Sequence, residues 1–337
     1  MKRTARKMNN VFLIMVVTYL CVSLGLSMLN QRMMGPGVIA SLIVGELIIL
    51  VPGLIFLLIY RCDLKEWIPF KKVGAATVGF TFLLTFLIQP VLYFLNVLSQ
   101  ALEQNVVLDL FSQVEDIPGI VLLLVIGILG PFCEEATFRG ILYSGYRKSG
   151  RIFAAVLWTA FLFGLFHMNL NQFGYAMVIG LVSAFLVEAT GSLIPSLILH
   201  MVINSYNVVQ VLALDYLSDL TGMDLSEITA QTDSLTPSFF LRMAGFLMIP
   251  AVICAVLTVV VFIAIAKREG TLEHMKQILP FTKKTQSAGE EDTAEKNAET
   301  ETTKKESVLS VTGVIGAALC LFMIFALEKV LQMLGGG

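Results

Sequence analysis

Long runs of apolar residues, separated by short polar stretches, cover most of the chain. A helix that crosses a bilayer needs about 20 such residues. The stretches that meet this need are 11–29, 37–60, 74–97, 118–145, 152–168, 172–188, 191–211, 240–266 and 308–333. The pattern therefore predicts an all-α fold, a polytopic transmembrane helical bundle of about nine spans.

Two polar stretches between these runs have a different character. In 98–117, Leu102, Val106, Leu110 and Val114 recur at helical spacing among polar residues. This favours an amphipathic helix at the membrane interface, with an ordinary solvated loop as the alternative. The other stretch, 282–307, is highly charged and has no apolar periodicity, so it cannot bury enough surface to fold. We predict a disordered cytoplasmic linker there.

These boundaries divide the chain into five predicted parts. The first carries three spans and the interfacial helix, and the second is a core of four spans. An outer loop with the eighth span, the linker and the ninth span follow. The ranges are 1–117, 118–210, 211–267, 268–307 and 308–337.

Composition supports a membrane protein. Hydrophobic residues make up 56% of the chain and charged residues 14%, and the mean hydropathy is +0.82. Soluble domains are less apolar and nearer a quarter charged, so the excess apolar surface is expected to face lipid. The net charge of −2, without a basic face, argues against nucleic-acid binding. The five cysteines form no CxxC pair, which gives no sign of a disulfide framework.

Basic residues concentrate in alternate loops. They lie before the first span and after the second, fourth and eighth, at Lys2, Arg3, Arg6, Lys7, Arg61, Lys65, Lys71, Lys72, Arg147, Lys148, Arg151, Lys267 and Arg268. The positive-inside rule assigns such loops to the cytoplasm. With nine spans, we predict a multi-pass protein of the cell membrane, its N-terminus cytoplasmic and its C-terminus outside.

The fourth predicted span carries three ionisable residues. Such residues are costly within a bilayer and usually have a function. Glu135 and Arg139 are four residues apart and can pair on one face of a helix. Glu134 points about 100° away and lacks an obvious partner, which makes it a candidate general base. Pro131 predicts a kink beside them, which either helps to admit water or is a simple packing kink.

Two histidines lie in later spans. His167 ends the fifth, and His200 is in the seventh, where Asn204 follows one turn later on the same face. In an antiparallel pair of helices, Glu134 and His167 would be nearly level. His200 reaches that level only if the turn at 189–192 is itself buried. A lone buried histidine is usually a core residue, but this set predicts a functional cluster on spans four to seven. The third histidine, His274, lies in a predicted loop and gives no such indication.

The three motifs together resemble the CPBP family, the CAAX proteases and bacteriocin-processing membrane proteins. They are Glu134-Glu135-Ala-Thr-Phe-Arg139, Phe163-Gly-Leu-Phe-His167 and His200-Met-Val-Ile-Asn204, matching EExxxR, FxxxH and HxxxN in order. The resemblance implies an intramembrane endopeptidase acting on a peptide or membrane-protein substrate. It implies that Glu134 activates water and that His167 helps to hold it. His200 and Asn204 would stabilise the oxyanion, and Glu135 and Arg139 would support Glu134.

Several alternatives stay open at this point. Glu134, His167 and His200 are also a ligand set for zinc that leaves a position for water, although we favour a metal-free mechanism. Buried Glu and His residues also form proton relays, so a proton-coupled transporter is a second hypothesis. A non-catalytic scaffold or immunity protein is a third.

Overall fold

A computed structural model describes residues 4–29, 36–102, 117–221, 235–280 and 306–335. Every regular element in these ranges is helical, and they contain no strand. The helices, in chain order, are α1 Thr4–Leu29, α2 Pro36–Ile59, α3 Leu64–Trp67, α4 Ala75–Ser99, α5 Gly119–Arg147, α6 Ile152–Phe166, α7 Leu170–Thr190, α8 Ile194–Thr221, α9 Pro237–Arg268, α10 Leu272–Ile278 and α11 Val311–Gly335. The predicted all-α polytopic bundle is confirmed.

Each predicted span coincides with one of these helices. Seven helices in the described part of the chain are long and apolar enough to cross a membrane: α1, α2, α4, α5, α7, α8 and α9. The apolar helix α6 has only 15 residues, and the apolar part of α11, Val311–Ala326, is similarly short. The total of nine spans therefore stays a prediction.

The polar stretches differ in part from prediction. Most of the proposed interfacial helix, 103–116, and most of the linker, 281–305, lie outside the described residues. The linker cannot begin at 268, because Leu272–Ile278 is helical and buries Met275 against Ala189 and Ala266. Helix α8 continues to Thr221, ten residues beyond the predicted end of its span.

Helix α5 is irregular around the predicted kink. Its backbone is π-helical over Leu123–Leu129 and again over Ala136–Tyr143, with an α-helical segment Gly130–Glu135 between them. Pro131 lacks an N–H and so cannot bond to the carbonyl oxygens of the preceding turn. π-Helical distortions of this kind occur frequently at functional sites. The two glutamates lie at the end of the short α-helical segment.

Helix α5 is the centre of the bundle and packs against α1, α2, α6, α7 and α8. Helix α9 runs along α4 on the outer side, and α11 packs against α1. One close approach in this core is at Gly180 of α7. A Cβ there would lie 3.1 Å from Ala160 Cα, 3.2 Å from Arg139 Nη2 and 3.2 Å from Phe163 Cδ1. Glycine thus lets α7 close over the buried arginine.

Candidate active site

Glu135 is completely buried and holds two helices, α5 and α8, together. One carboxylate oxygen, Oε1, lies 3.0 Å from Arg139 Nη1 and 2.9 Å from His200 Nδ1. The other accepts a hydrogen bond from the Ser196 hydroxyl. The predicted Glu135–Arg139 pair thus forms, and both side chains have no exposed surface. A buried ion pair needs further hydrogen bonds to offset its desolvation, and α8 supplies them through Ser196 and His200.

Glu134 lies on the other side of the His200 ring. Its Oε2 is 3.4 Å from His200 Nε2, and its side chain is 16% exposed. This oxygen is buried and has no hydrogen-bond partner among the described residues. A buried acceptor without a partner is uncommon in native proteins and calls for an explanation. The exposed fraction belongs to the rest of the side chain, because this oxygen is itself buried.

The turn between α7 and α8 sets the height of His200. Ser192 and Leu193 are buried, as the predicted register requires. The Leu193 N–H donates to the Pro69 carbonyl at 2.7 Å, and the Ser192 hydroxyl donates to the Lys71 carbonyl at 2.6 Å. The segment before α4 therefore covers this turn. As a result, His200 reaches the level of the two glutamates.

His167 joins the site through an aromatic contact. Its ring centroid lies 4.9 Å from that of Phe163, and the ring centroid of His200 lies 5.7 Å from Phe163, both edge to face. The Arg139 guanidinium lies over the same ring at 4.2 Å. His167 Nδ1 is 2.9 Å from the Phe163 carbonyl oxygen, which can only accept. The proton is therefore on Nδ1, and Nε2 is left as an acceptor.

Phe163 contributes more than sequence reasoning assigned to it. It was part of a matching motif but had no role of its own. In the structure its ring contacts both imidazoles and the buried guanidinium. A cation over an aromatic face gains electrostatic attraction, particularly where water is excluded. Phe163 thus fixes the relative positions of three polar side chains.

Asn204 contacts the backbone of α5. Its Nδ2 donates to the Ile126 carbonyl at 3.2 Å, and the neighbouring Ser205 hydroxyl lies 3.5 Å from the Gly127 carbonyl. The N–H of residue 131 would donate to the Ile126 carbonyl in a π-helix and to the Gly127 carbonyl in an α-helix. Pro131 has no N–H, so it cannot make either bond. The residues of α8 supply the missing donors. Asn204 is thus one turn from His200 but is bound to the distorted segment of α5.

A third carboxylate, Glu46 of α2, was missed in the sequence. A Cβ on Gly130 would lie 3.1 Å from Glu46 Oε1, which places this carboxylate against the turn that precedes Glu134. Glu46 and Glu134 are close enough to interact electrostatically. Glu46 Oε2 is buried without a hydrogen-bond partner among the described residues. An ionisable residue inside the second apolar run was the signal that could have revealed it.

The alternative zinc set of Glu134, His167 and His200 is not found as a three-residue group in the part of the chain that the structure describes. The described residues contain no group of three His, Cys, Asp or Glu side chains placed to hold one metal ion. His200 has a carboxylate at each ring nitrogen, and His167 uses Nδ1 for the Phe163 carbonyl.

Part of the chain matches a known protein family. Residues 116–206 match the family model described as type II CAAX prenyl endopeptidase Rce1-like. No curated protein and no solved structure matches the chain. The matched segment contains all three sequence motifs and the residues that meet around Glu135. The match confirms the predicted family resemblance and supports a membrane-embedded protease of the CAAX type.

Proposed function

We propose that this protein is an intramembrane endopeptidase in which Glu134 activates a water molecule. One observation carries the proposal: a buried, unpartnered carboxylate oxygen lies 3.4 Å from an imidazole that a second glutamate orients. A general base must lie within hydrogen-bond reach of the proton that it removes. A water bound to this oxygen would supply the hydrogen-bond donor that it lacks among the described residues.

The proposed reaction uses only this chain's side chains. Glu134 and His167 Nε2 accept the two hydrogens of the water, and Glu134 takes one proton as the oxygen attacks the peptide carbonyl carbon. His200 donates through Nε2, the ring nitrogen on the side of Glu134, to the oxyanion that forms. Glu134 then returns the proton to the leaving nitrogen as the carbon–nitrogen bond breaks. Glu135, held by Arg139 and Ser196, fixes the ring of His200.

Asn204 keeps its predicted place in this proposal as a donor near the oxyanion. One hydrogen of its amide is used by the Ile126 carbonyl, and the amide nitrogen has a second. The contact with α5 holds that second hydrogen in a fixed direction. This supports a preorganised donor, which is the property that transition-state stabilisation requires.

We also propose a cell-membrane location with a cytoplasmic N-terminus and an external C-terminus. Three basic segments meet at one end of the bundle, in support of a common side. Lys7 lies 3.8 Å from the Tyr60 ring centroid, and Lys148 lies 4.2 Å from that of Trp67 and 2.7 Å from Glu66 Oε1. A C-terminal reporter enzyme that is active only inside the cell tests this orientation, and reporter activity would contradict it.

The function is tested by comparing membrane proteomes of cells that carry the wild-type protein, Glu134→Gln or His167→Ala. We expect a set of new peptide termini that appears with the wild type and disappears with both variants. His274→Ala, a histidine outside the site, is the matched control and should retain these termini. Identical termini in all four samples would remove the enzymatic interpretation.

A further inference from the structure

A cavity of about 370 Å³ adjoins the site between α4, α7 and α8. Its volume is within the usual range for ligand sites. Every lining residue in the described part of the chain is uncharged, and the polar ones are four side-chain amides and two phenols. They are Gln89, Tyr93, Asn96, Tyr175, Asn207 and Gln210.

The cavity lies near the candidate catalytic residues, and none of them is among its described lining residues. Ile203 and Asn207, which line it, follow His200 at three and seven residues along α8 and therefore share its face. On the opposite wall, Tyr175 is close enough to Glu134 to interact with it electrostatically. A molecule in this cavity would thus lie on the same face of α8 as His200 and against the tyrosine nearest to Glu134.

One lining group indicates what the cavity binds. Gln89 is only 9% exposed, and its Nε2 has no hydrogen-bond partner among the described residues. A buried amide donor without an acceptor costs free energy, because nothing replaces the water that it loses. An acceptor from a bound ligand would satisfy it. Amide side chains both donate and accept, which matches the alternating N–H and C=O groups of a peptide backbone.

The substrate of an intramembrane protease also has buried polar groups that need hydrogen-bond partners. A helix must unwind to expose a peptide bond, and each freed backbone group in a low-dielectric region then needs a partner. From Ile203 to Leu214, α8 lines the cavity over about 16 Å, which is the length of about five residues of extended chain. A charged side chain would find no counter-ion among the lining residues.

We infer that this cavity binds an extended, uncharged segment of about five substrate residues beside the scissile bond, by hydrogen bonds from its amides to the substrate backbone. The inference rests on the proposed function, because a bound peptide is a substrate only if the protein is a protease. Binding can nevertheless be measured separately from cleavage. Gln89 is assigned the central donor, with Asn207 next to the reacting groups.

The test uses Glu134→Gln protein in detergent and a synthetic library of random decapeptides, whose retained members are sequenced by mass spectrometry. We expect saturable retention of peptides with a window of uncharged residues. Gln89→Leu, which keeps the size and removes the donor, should weaken retention about tenfold, the effect of one lost hydrogen bond. Gln277→Leu, the same substitution on exposed α10, should leave it unchanged.

Three outcomes would overturn the inference: no saturable retention, equal retention of charged peptides, or equal retention by Gln89→Leu and Gln277→Leu. The unfolding temperature of each variant shows whether it is folded. The wild-type protein is then incubated with the same library. Cleavage that Glu134→Gln does not reduce would overturn the proposed function, while the binding result would stand or fall by itself.

Discussion

Two clusters in this protein, each built around a buried glutamate, are made of the same kinds of group. Each has a glutamate, an arginine, a histidine and a hydroxyl that converge on the glutamate. In the first they are Glu135, Arg139, His200 and Ser196, and in the second they are Glu188, Arg147, His274 and Tyr143. The first lies in the matched segment, and the second joins α5, α7 and α10.

The clusters differ in what lies beyond the histidine. Glu188 accepts from Tyr143 at 2.5 Å, from Arg147 at 2.6 and 2.9 Å and from His274 at 2.6 Å, so both of its oxygens are satisfied. At the first cluster the ring of His200 leads on to Glu134, which has an unsatisfied oxygen. We infer from this comparison that a carboxylate with all its hydrogen bonds made, such as Glu188, holds helices together. A carboxylate with an unsatisfied oxygen, such as Glu134, is available for chemistry.

The largest expected effect comes from exchanging the two histidines for alanine. His200→Ala removes the group that lies between both glutamates, and we expect the cleavage rate to fall by about 10²–10³, as for other oxyanion donors. His274→Ala should leave the rate within about twofold, because this residue lies at the saturated cluster. Initial rates on one cleaved peptide measure both. Equal losses would show that the clusters do not differ in function.

The second effect is on stability. Glu188→Ala leaves the buried Tyr143 hydroxyl and Arg147 without their acceptor, and we expect a loss of about 3 kcal/mol, near the lower end for broken buried pairs because Arg147 is half exposed. Glu273→Ala is the control, since its pair with Lys276 is exposed on α10 and contributes little. Unfolding in detergent measures both. A similar midpoint for the two variants would contradict a structural role of Glu188.

The smallest effect separates the two hydroxyls. Ser196→Ala and Tyr143→Phe each remove one hydrogen bond to a buried carboxylate, and each should cost about 1–3 kcal/mol of stability. Only Ser196→Ala should also lower the cleavage rate, by several fold, because Glu135 then orients His200 less firmly. The ratio of rate loss to stability loss in the two variants is the measurement. Equal ratios would argue against any positioning role of Ser196.

Local spacing made part of this site predictable. The pairing of Glu135 with Arg139 follows from helical periodicity, and the buried turn that raises His200 was stated as a condition and is present. The contacts of Glu46, Ser196 and His274 depend on which helices become neighbours, and periodicity within one helix contains no such information. His274 was interpreted as an ordinary loop residue, yet it donates to buried Glu188.

The backbone of α5 was only partly predictable. Pro131 indicated a kink, but the two π-helical segments and the use of Asn204 to bond a freed carbonyl depend on α8 lying alongside. The overall bundle was easier to predict from the sequence, because a lipid bilayer requires long apolar helices whatever their neighbours are. Tertiary contacts therefore decided the roles of polar residues, while the sequence pattern decided the helices.

The central claim is that Glu134 acts chemically and Glu188 structurally. The most direct measurement compares Glu134→Gln and Glu188→Gln in one experiment, with the cleavage rate and the unfolding midpoint of each purified variant. We predict that Glu134→Gln lowers the cleavage rate by at least about 10²-fold, the lower end for general acid–base catalysis, with little change in the unfolding midpoint. We predict that Glu188→Gln lowers the unfolding midpoint with little change in the cleavage rate. Undiminished cleavage by folded Glu134→Gln protein would contradict the account.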